Sequence, residues 1–381
     1  MDHITFLVAV VILTALVFDF TNGFHDTANA MATSVATGAL RPRHAVLVSG
    51  VLNLAGAFLS TEVARTISGG IVSDGLVTPA MVFAGLIGAV LWNLTTWLLG
   101  LPSSSSHALF GGLIGAVWVG AGRAGVHFDQ VVDKIILPAV ASPLVAGLAA
   151  LLSTTLAYRL TARGRGISVD RGFRLGQIAS ASLVSLAHGT NDAQKTMGVI
   201  TLTLISVGAL APGSGPPLWV IVSSGLMIAL GTCLGGWRII RTMGRGLTHI
   251  RAPQGFAAES SSATVILTSA HLGFALSTTQ VCSGAILGAG LGRKLAEVRW
   301  GVAARIAIAW CVTLPAAAAV GALAAVMVVY GGTIGTVLVA LAAASAAAFI
   351  VVLSRRHPVT AGNVNDAHTV TLRSDTARAK V

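Results

Sequence analysis

The chain has 381 residues, 54% of them hydrophobic and only 10% charged, with a mean hydropathy of +0.83. That usage excludes a soluble globular domain of this length and makes a bilayer the implied solvent. The formal charge of +11 does not indicate a nucleic-acid partner, because Lys and Arg fall in short clusters between apolar stretches and read as topology signals.

The first apolar run, from about Ile4 to Phe18, has the length of a signal-peptide core. Asp2 and His3 stand where a basic leader would be, so a retained helix is expected. A spanning helix needs about 20 apolar residues, and runs near 45–61, 135–158, 218–237, 302–329 and 333–353 read as ordinary spans. Stretches 4–39 and 175–211 are too long for one straight span, and polar residues with Gly interrupt each midway, so broken helices are expected. Stretches 80–120 and 260–292 carry breaks at Gly100 to His107 and Gly273 to Gln280. Each is expected to form a re-entrant hairpin or a pair of short helices, its hydroxyls satisfying the irregular backbone. The 44 glycines suit close helix packing in lipid. Cys233, Cys282 and Cys311 lack metal-ligand spacing and read as packing residues.

With the N-terminus outside and the hairpins returning, the basic segments 40–44, 159–174, 238–251, 293–299 and the tail after 354 fall on the cytoplasmic side. They hold 19 of the 24 Lys and Arg, as the positive-inside rule requires. Asn22 to Met31 aligns with His188 to Met197 at an offset of 166, with Gly, Asp and Met coinciding. Ser104 to Ala116 aligns with Ser277 to Ala289 at an offset of 173. Motifs recurring in the same order indicate an internal repeat, and three crossings between the first motifs make the two halves face opposite ways.

The expected fold class is therefore an all-α polytopic membrane protein of two inverted-topology repeats, with about 10–12 membrane segments. Residues 1–160 form the first repeat, 161–174 a basic cytoplasmic linker, and 175–330 the inverted second repeat. Residues 331–353 add a further helix, and 354–381 read as a polar disordered tail.

Ionisable residues inside apolar segments are functional candidates: Asp26, Asp192, Lys195, His25 and His188, with Asp19 further out. Asp192 and Lys195, three apart on a helix, could simply pair. Asp26 is the repeat mate of Asp192 and has no such neighbour, which argues for cation sites. Asn22, His25, Asp26 and Asn29 in one half, with Asn191 and Asp192 in the other, are the candidate cation-binding or coupling residues. Lys195 occupies the slot of Asn29, where a fixed ammonium can stand in for a coupling cation or hold an anion. Ser103, Ser104, Ser105, Ser106, Ser277, Thr278 and Thr279 offer hydroxyl donors beside helix N-termini, a combination suited to an oxyanion. His107 and His271 either line these tips or hydrogen-bond within the bundle.

These segments resemble the PiT family of inorganic phosphate transporters. NGFHDTAN (Asn22 to Asn29) and HGTNDAQK (His188 to Lys195) are similar to its duplicated G-A-N-D-x-A-N signature. LPSSSSHA (Leu101 to Ala108) and LSTTQVCSG (Leu276 to Gly284) are similar to its paired P-x-S-T-T-H elements. The stretches beginning at Gly235, GFAAE (Gly255 to Glu259) and WCVTLPA (Trp310 to Ala316) add to the likeness, which extends to about residue 350.

The resemblance implies two inverted repeats, with phosphate and cations bound between broken helices and hairpin tips. Asp26 and Asp192 would serve the cations, and Ser104, Ser105, Ser106, Ser277, Thr278 and Thr279 the phosphate. His25 and the pair Gln194-Lys195 depart from the common signature as the bacterial low-affinity branch does. That branch is associated with proton coupling and with neutral metal–phosphate complexes. Pro is absent before Ser277, Gln280 replaces His, and Asn53 stands where animal members carry Glu.

The expected function is a symporter of the plasma membrane, importing phosphate with H⁺ or Na⁺ by alternating access, with the C-terminus cytoplasmic. No catalytic residue, cofactor or resident metal beyond Na⁺ sites is expected, and a homo-oligomer is left open. A sulfate symporter of the same fold and a non-transporting scaffold or receptor are the alternatives. A hydrolase is disfavoured, because no nucleophile–base pairing appears.

Overall fold

The computed structural model describes residues 3–73, 75–161, 167–293 and 298–366. Among them the only β pairing is two isolated bridges, Val72 with Val126 and Thr248 with Val298. The helices in chain order are α1 (His3–Ala36), α2 (Pro42–Gly56), α3 (Glu62–Gly70), α4 (Pro79–Leu99), α5 (Ser105–Ala121), α6 (Phe128–Val131) and α7 (Leu137–Leu160). They continue as α8 (Ile167–Ser206), α9 (Leu218–Leu234), α10 (Trp237–Arg241), α11 (Ala252–His271), α12 (Thr278–Leu291) and α13 (Trp300–Ser354). Four stretches are long and apolar enough to cross a membrane: 6–36, 79–99, 128–160 and 300–354. Leu218–Leu234 with Trp237–Gly246, bent by 60°, makes a fifth. The protein is thus an all-helical membrane protein, with many large apolar side chains, such as Leu144, Leu152 and Ile334, on its outer surface.

The two long polar-interrupted segments are not broken. α1 and α8 run continuously for 34 and 40 residues, about 50 and 60 Å at 1.5 Å per residue. Their internal glycines serve close approach instead. A Cβ on Gly23 would sit 2.2 Å from the Ile228 carbonyl oxygen of α9, and one on Gly189 2.2 Å from the Asn53 carbonyl oxygen of α2. Thr27 and Thr190 bond back to the preceding turn, to Gly23 O and Leu186 O, without freeing a backbone group of either helix.

α4 and α5 are separated at 100–104, and α11 and α12 at 272–277, where breaks were expected. Gly100 and Gly273 take φ of 66° and 73°, values that a side chain would disfavour. Each following helix is capped by a hydroxyl of its tip: Ser104 Oγ accepts from His107 N, and Ser277 Oγ from Gln280 N. His107 therefore lies in the first turn of α5 rather than in the break.

Two boundaries differ from the sequence reading. Within the expected linker 161–174, α8 has already begun at Ile167, stabilised by the Asp170–Arg174 pair one turn apart and by Phe173 against Phe256 of α11. Residues 162–166 lie outside the described residues. The expected tail is ordered as far as Asp366: Arg241 donates to the Asn363 carbonyl at 2.6 Å, Asn365 Nδ2 to Val35 O at 3.0 Å, and Val364 is buried. The remainder, 367–381, lies outside the described residues. Residues 333–354 are helical and continue α13. At Gly332, φ 57° and ψ −134° turn the chain within α13, so that Gly335 lies against Met327.

Candidate functional site

α1 and α8 meet α5 and α12 at their capped N-termini, and four polar helix faces converge. His25, Asp26 and Asn29 come from α1, His188, Asp192 and Lys195 from α8, and the hydroxyls from the two tips, all of them buried. Asp26 Oδ2 accepts from Ser105 Oγ at 2.8 Å, and Oδ1 from Thr279 Oγ1 at 3.3 Å. One carboxylate thus bridges both helix N-termini. That placement suits an anion twice over, through the hydroxyl donors and through the positive ends of two helix dipoles.

The second carboxylate meets the α12 tip and a lysine of its own helix. Asp192 Oδ2 accepts from Thr278 Oγ1 at 3.1 Å, while Lys195 Nζ lies 2.5 Å from Oδ1. Asn29 Nδ2 donates to Thr279 at 3.1 Å and to Thr278 at 3.3 Å, tying α1 to the α12 tip. Ser106 Oγ donates to Leu276 O at 3.2 Å, joining one tip to the other.

Each carboxylate has a histidine. His25 Nδ1 lies 2.5 Å from Asp26 Oδ1, and its Nε2 faces Thr96 Oγ1 at 3.1 Å. His188 Nε2 lies 3.2 Å from Asp192 and 3.9 Å from Asp26, while Nδ1 meets Asn53 Oδ1 at 3.2 Å. One ligand atom each from Asp26, His188 and Asp192 lies within 4.8 Å of the others, a spacing that could hold a metal ion.

The candidate residues read from the sequence are therefore largely brought together. Asn191 is displaced toward the α11–α12 break, its Nδ2 donating to Phe274 O at 3.3 Å. Asn22 lies a turn away from Asp26 along α1, with no partner for either amide atom. Ser103 donates to Thr96 at 2.8 Å. His271 is exposed at the end of α11, away from the cluster, whereas His107 is buried.

Sequence reasoning missed Thr96 and gave Glu259 no role. Glu259 Oε1 accepts from Thr33, from Ser34 at 2.7 Å and from Gln177 at 3.4 Å, and Oε2 accepts from Ser180 at 2.7 Å. It is a fully buried acidic knot joining α1, α8 and α11. Its signal in the sequence was the presence of a Glu inside an apolar helix.

A cavity of about 1150 Å³ opens beyond the C-terminal end of α1, lined by Arg174, Arg241, Arg245, Arg251, Arg299 and Arg305 among others. Its six arginines outnumber its two carboxylates, Asp170 and Asp366, so its wall carries net positive charge.

A multi-pass helical bundle holding a buried cluster of carboxylates and hydroxyls at its centre has the build of a membrane transport protein. Residues 22–321 match the model of the phosphate transporter family, and the chain belongs to that family. It is 59% identical over 365 residues to a protein of Mycobacterium tuberculosis described as a probable low-affinity inorganic phosphate transporter, covering 94% of this chain and 87% of that one. A Bacillus subtilis protein of the same description is 40% identical over 326 residues, covering 85% and 98% of the two chains. Among solved structures, one titled "The sodium-dependent phosphate transporter" superposes with a TM-score of 0.74 at 26% identity, covering 83% of this chain and 97% of that one.

Proposed function

We propose that the chain is a symporter that imports inorganic phosphate together with a coupling cation, by alternating access between two inverted repeats. Asp26 bridging the N-termini of α5 and α12 is the observation that carries the reading. The donors now held by Asp26 and Asp192 are those a phosphate needs, so substrate and carboxylates share one set of hydroxyls. Ser104, Ser105, Ser106, Ser277, Thr278, Thr279 and Lys195 are assigned to phosphate. Asn22, His25, Asp26, Asn29, Asn191 and Asp192 are assigned to the cation.

Reciprocal packing supports the repeat. A Cβ on Gly231 of α9 would meet Phe20 O of α1 at 2.1 Å, and one on Gly56 of α2 would meet Leu186 O of α8 at 2.3 Å. Phe20 and Leu186 are 166 apart, the offset of the duplicated signature. The α4–α5 and α11–α12 breaks are then the tips of re-entrant hairpins. The N-terminus lies outside and the arginine-lined cavity faces the cytoplasm of a plasma-membrane protein.

Coupling by H⁺ is favoured by His25 and Lys195, which occupy slots where the common signature has Asn. The metal-ligand spacing of Asp26, His188 and Asp192 supports carriage of phosphate as a metal complex. In reconstituted vesicles Asp26→Asn should abolish phosphate uptake while leaving the protein folded. Full uptake by that variant would remove Asp26 from the mechanism, and competition between phosphate and sulfate reports the anion preferred.

A further inference from the structure

One turn beyond the central cluster, toward the N-terminal end of α1, lies a layer of polar groups that nothing in the protein satisfies. Asp19, Asn22, Asn93 and Thr196 are all buried, three of them with no exposed surface and Thr196 likewise at 0%. Both carboxylate oxygens of Asp19, both amide atoms of Asn22 and of Asn93, and the Thr196 hydroxyl have no hydrogen-bond partner. Buried polar groups are almost always paired; here Thr196 is the neighbour that faces Asp19 and the four amide atoms of Asn22 and Asn93 go unmet, so the layer calls for a ligand.

The helices place these side chains together. Asn22 precedes Asp26 by one turn and Asp19 precedes it by two, along the same stripe of α1. α8 runs antiparallel to α1, as the Thr37–Gln177 and His188–Asp26 contacts require. Thr196, one turn past Asp192, therefore faces Asp19. α4 runs parallel to α1: Thr96 meets His25, and Gly100, at the end of α4, lies against Arg238 and Thr242 in the stretch whose Gly236 and Gly244 lie against Phe24 and Ala32 of α1. Asn93, three residues before Thr96, falls on the face toward α1 at the level of Asn22.

We propose that Asp19, Asn93 and Thr196, with Asn22 shared between this layer and the coupling-cation residues, form an outer binding site for a hard monovalent metal cation of the Na⁺ class, one turn from the cluster at Asp26 and Asp192. Carboxylate, amide and hydroxyl oxygens are the donors such a cation takes. A single proton would satisfy one acceptor and leave the amide and hydroxyl oxygens unmet, whereas one cation engages them together. The charged and titratable groups acting on Asp19 from the packed helices belong to α8: Asp192, His188 and Lys195. Lys195 is held by Asp192 at 2.5 Å and His188 Nε2 lies 3.2 Å from Asp192, so both cations pair with Asp192 rather than with Asp19. The inference rests on the reading of the chain as a cation-coupled carrier, and it makes this layer the first stop for a cation entering from the N-terminal side of α1.

The test is equilibrium binding of radioactive Na⁺ to the full-length protein in detergent without phosphate, so that a failure of phosphate transport does not decide it. Asp19→Asn, which keeps the side-chain shape, should bind one Na⁺ fewer than the wild type. Asn93→Leu and Thr196→Val, with Asp19 intact, should weaken one Na⁺ site by about tenfold, and they carry the test if Asp19→Asn does not fold. An unchanged Na⁺ count and affinity in the folded variants overturns the proposal. So does loss of a carboxylic-acid infrared band in Asp19→Asn with the Na⁺ count unchanged, which would assign a proton to Asp19.

Discussion

Lys195 Nζ lies 2.5 Å from Asp192 Oδ1, and neither side chain has any exposed surface. A buried ion pair contributes little net stability against an apolar pair, but removing one partner leaves a bare charge and costs about 3–5 kcal/mol. Lys195→Met and Asp192→Asn should each destabilise the protein by roughly that amount. The double variant should recover most of the loss, with the coupling read from thermal denaturation of all four proteins in detergent. Additive losses would show that the pair is not an energetic unit.

The two hydroxyl caps differ from the hydroxyls they precede. Ser104 and Ser277 accept from backbone N–H groups, whereas Ser105, Thr278 and Thr279 donate to carboxylates. Ser104→Ala and Ser277→Ala should each cost about 1 kcal/mol of stability. Thr278→Val should spare stability more than it spares transport, raising the KM for phosphate, and Thr278→Ser should restore it. Equal KM values for Val and Ser at 278 would exclude this hydroxyl from substrate binding.

Glycine carries a prediction with a built-in control. Gly23→Ala and Gly189→Ala place a methyl 2.2 Å from a neighbouring carbonyl oxygen and should each cost about 1–3 kcal/mol or more. Gly172→Ala, on the exposed start of α8 with nothing within 4 Å of its Cβ, should be neutral or stabilising by up to about 1 kcal/mol. Melting temperatures of the three variants decide it.

These glycines also show where the sequence was ambiguous. A Gly inside an apolar stretch marks either a break or a close approach, and only the partner helix distinguishes the two. For Gly23 and Gly189 the partners are α9 and α2, so α1 and α8 stay whole where breaks were expected. At Gly100 and Gly273, runs of hydroxyls followed within a few residues, and there the breaks were legible. Asp26 and Asp192 stood out because a carboxylate in lipid needs a reason, and their duplication supplied one. Thr96 did not, since a threonine in a helix ordinarily bonds to its own preceding turn, as Thr96 also does with Trp92 O. Residues 355–366 were hidden for a different reason. Their order comes from Arg241 and the end of α1, contacts made across more than a hundred residues.

Glu259 is held by four donors from two other helices. Glu259→Gln keeps one acceptor oxygen, and its amide can donate to Ser180, so its cost should stay near 1 kcal/mol. Glu259→Leu strands the donors and should cost about 1–3 kcal/mol for each group left unpaired. Comparable melting temperatures for the Gln and Leu variants would mean that water replaces the carboxylate.

The central claim is cation-driven phosphate import, and radiolabelled phosphate uptake by the purified wild-type protein in sealed vesicles tests it most directly. With an imposed H⁺ or Na⁺ gradient, phosphate should accumulate inside above its external concentration, and the accumulation should collapse when an ionophore dissipates the gradient. Phosphate that only equilibrates under both gradients, or does not enter at all, would contradict the account.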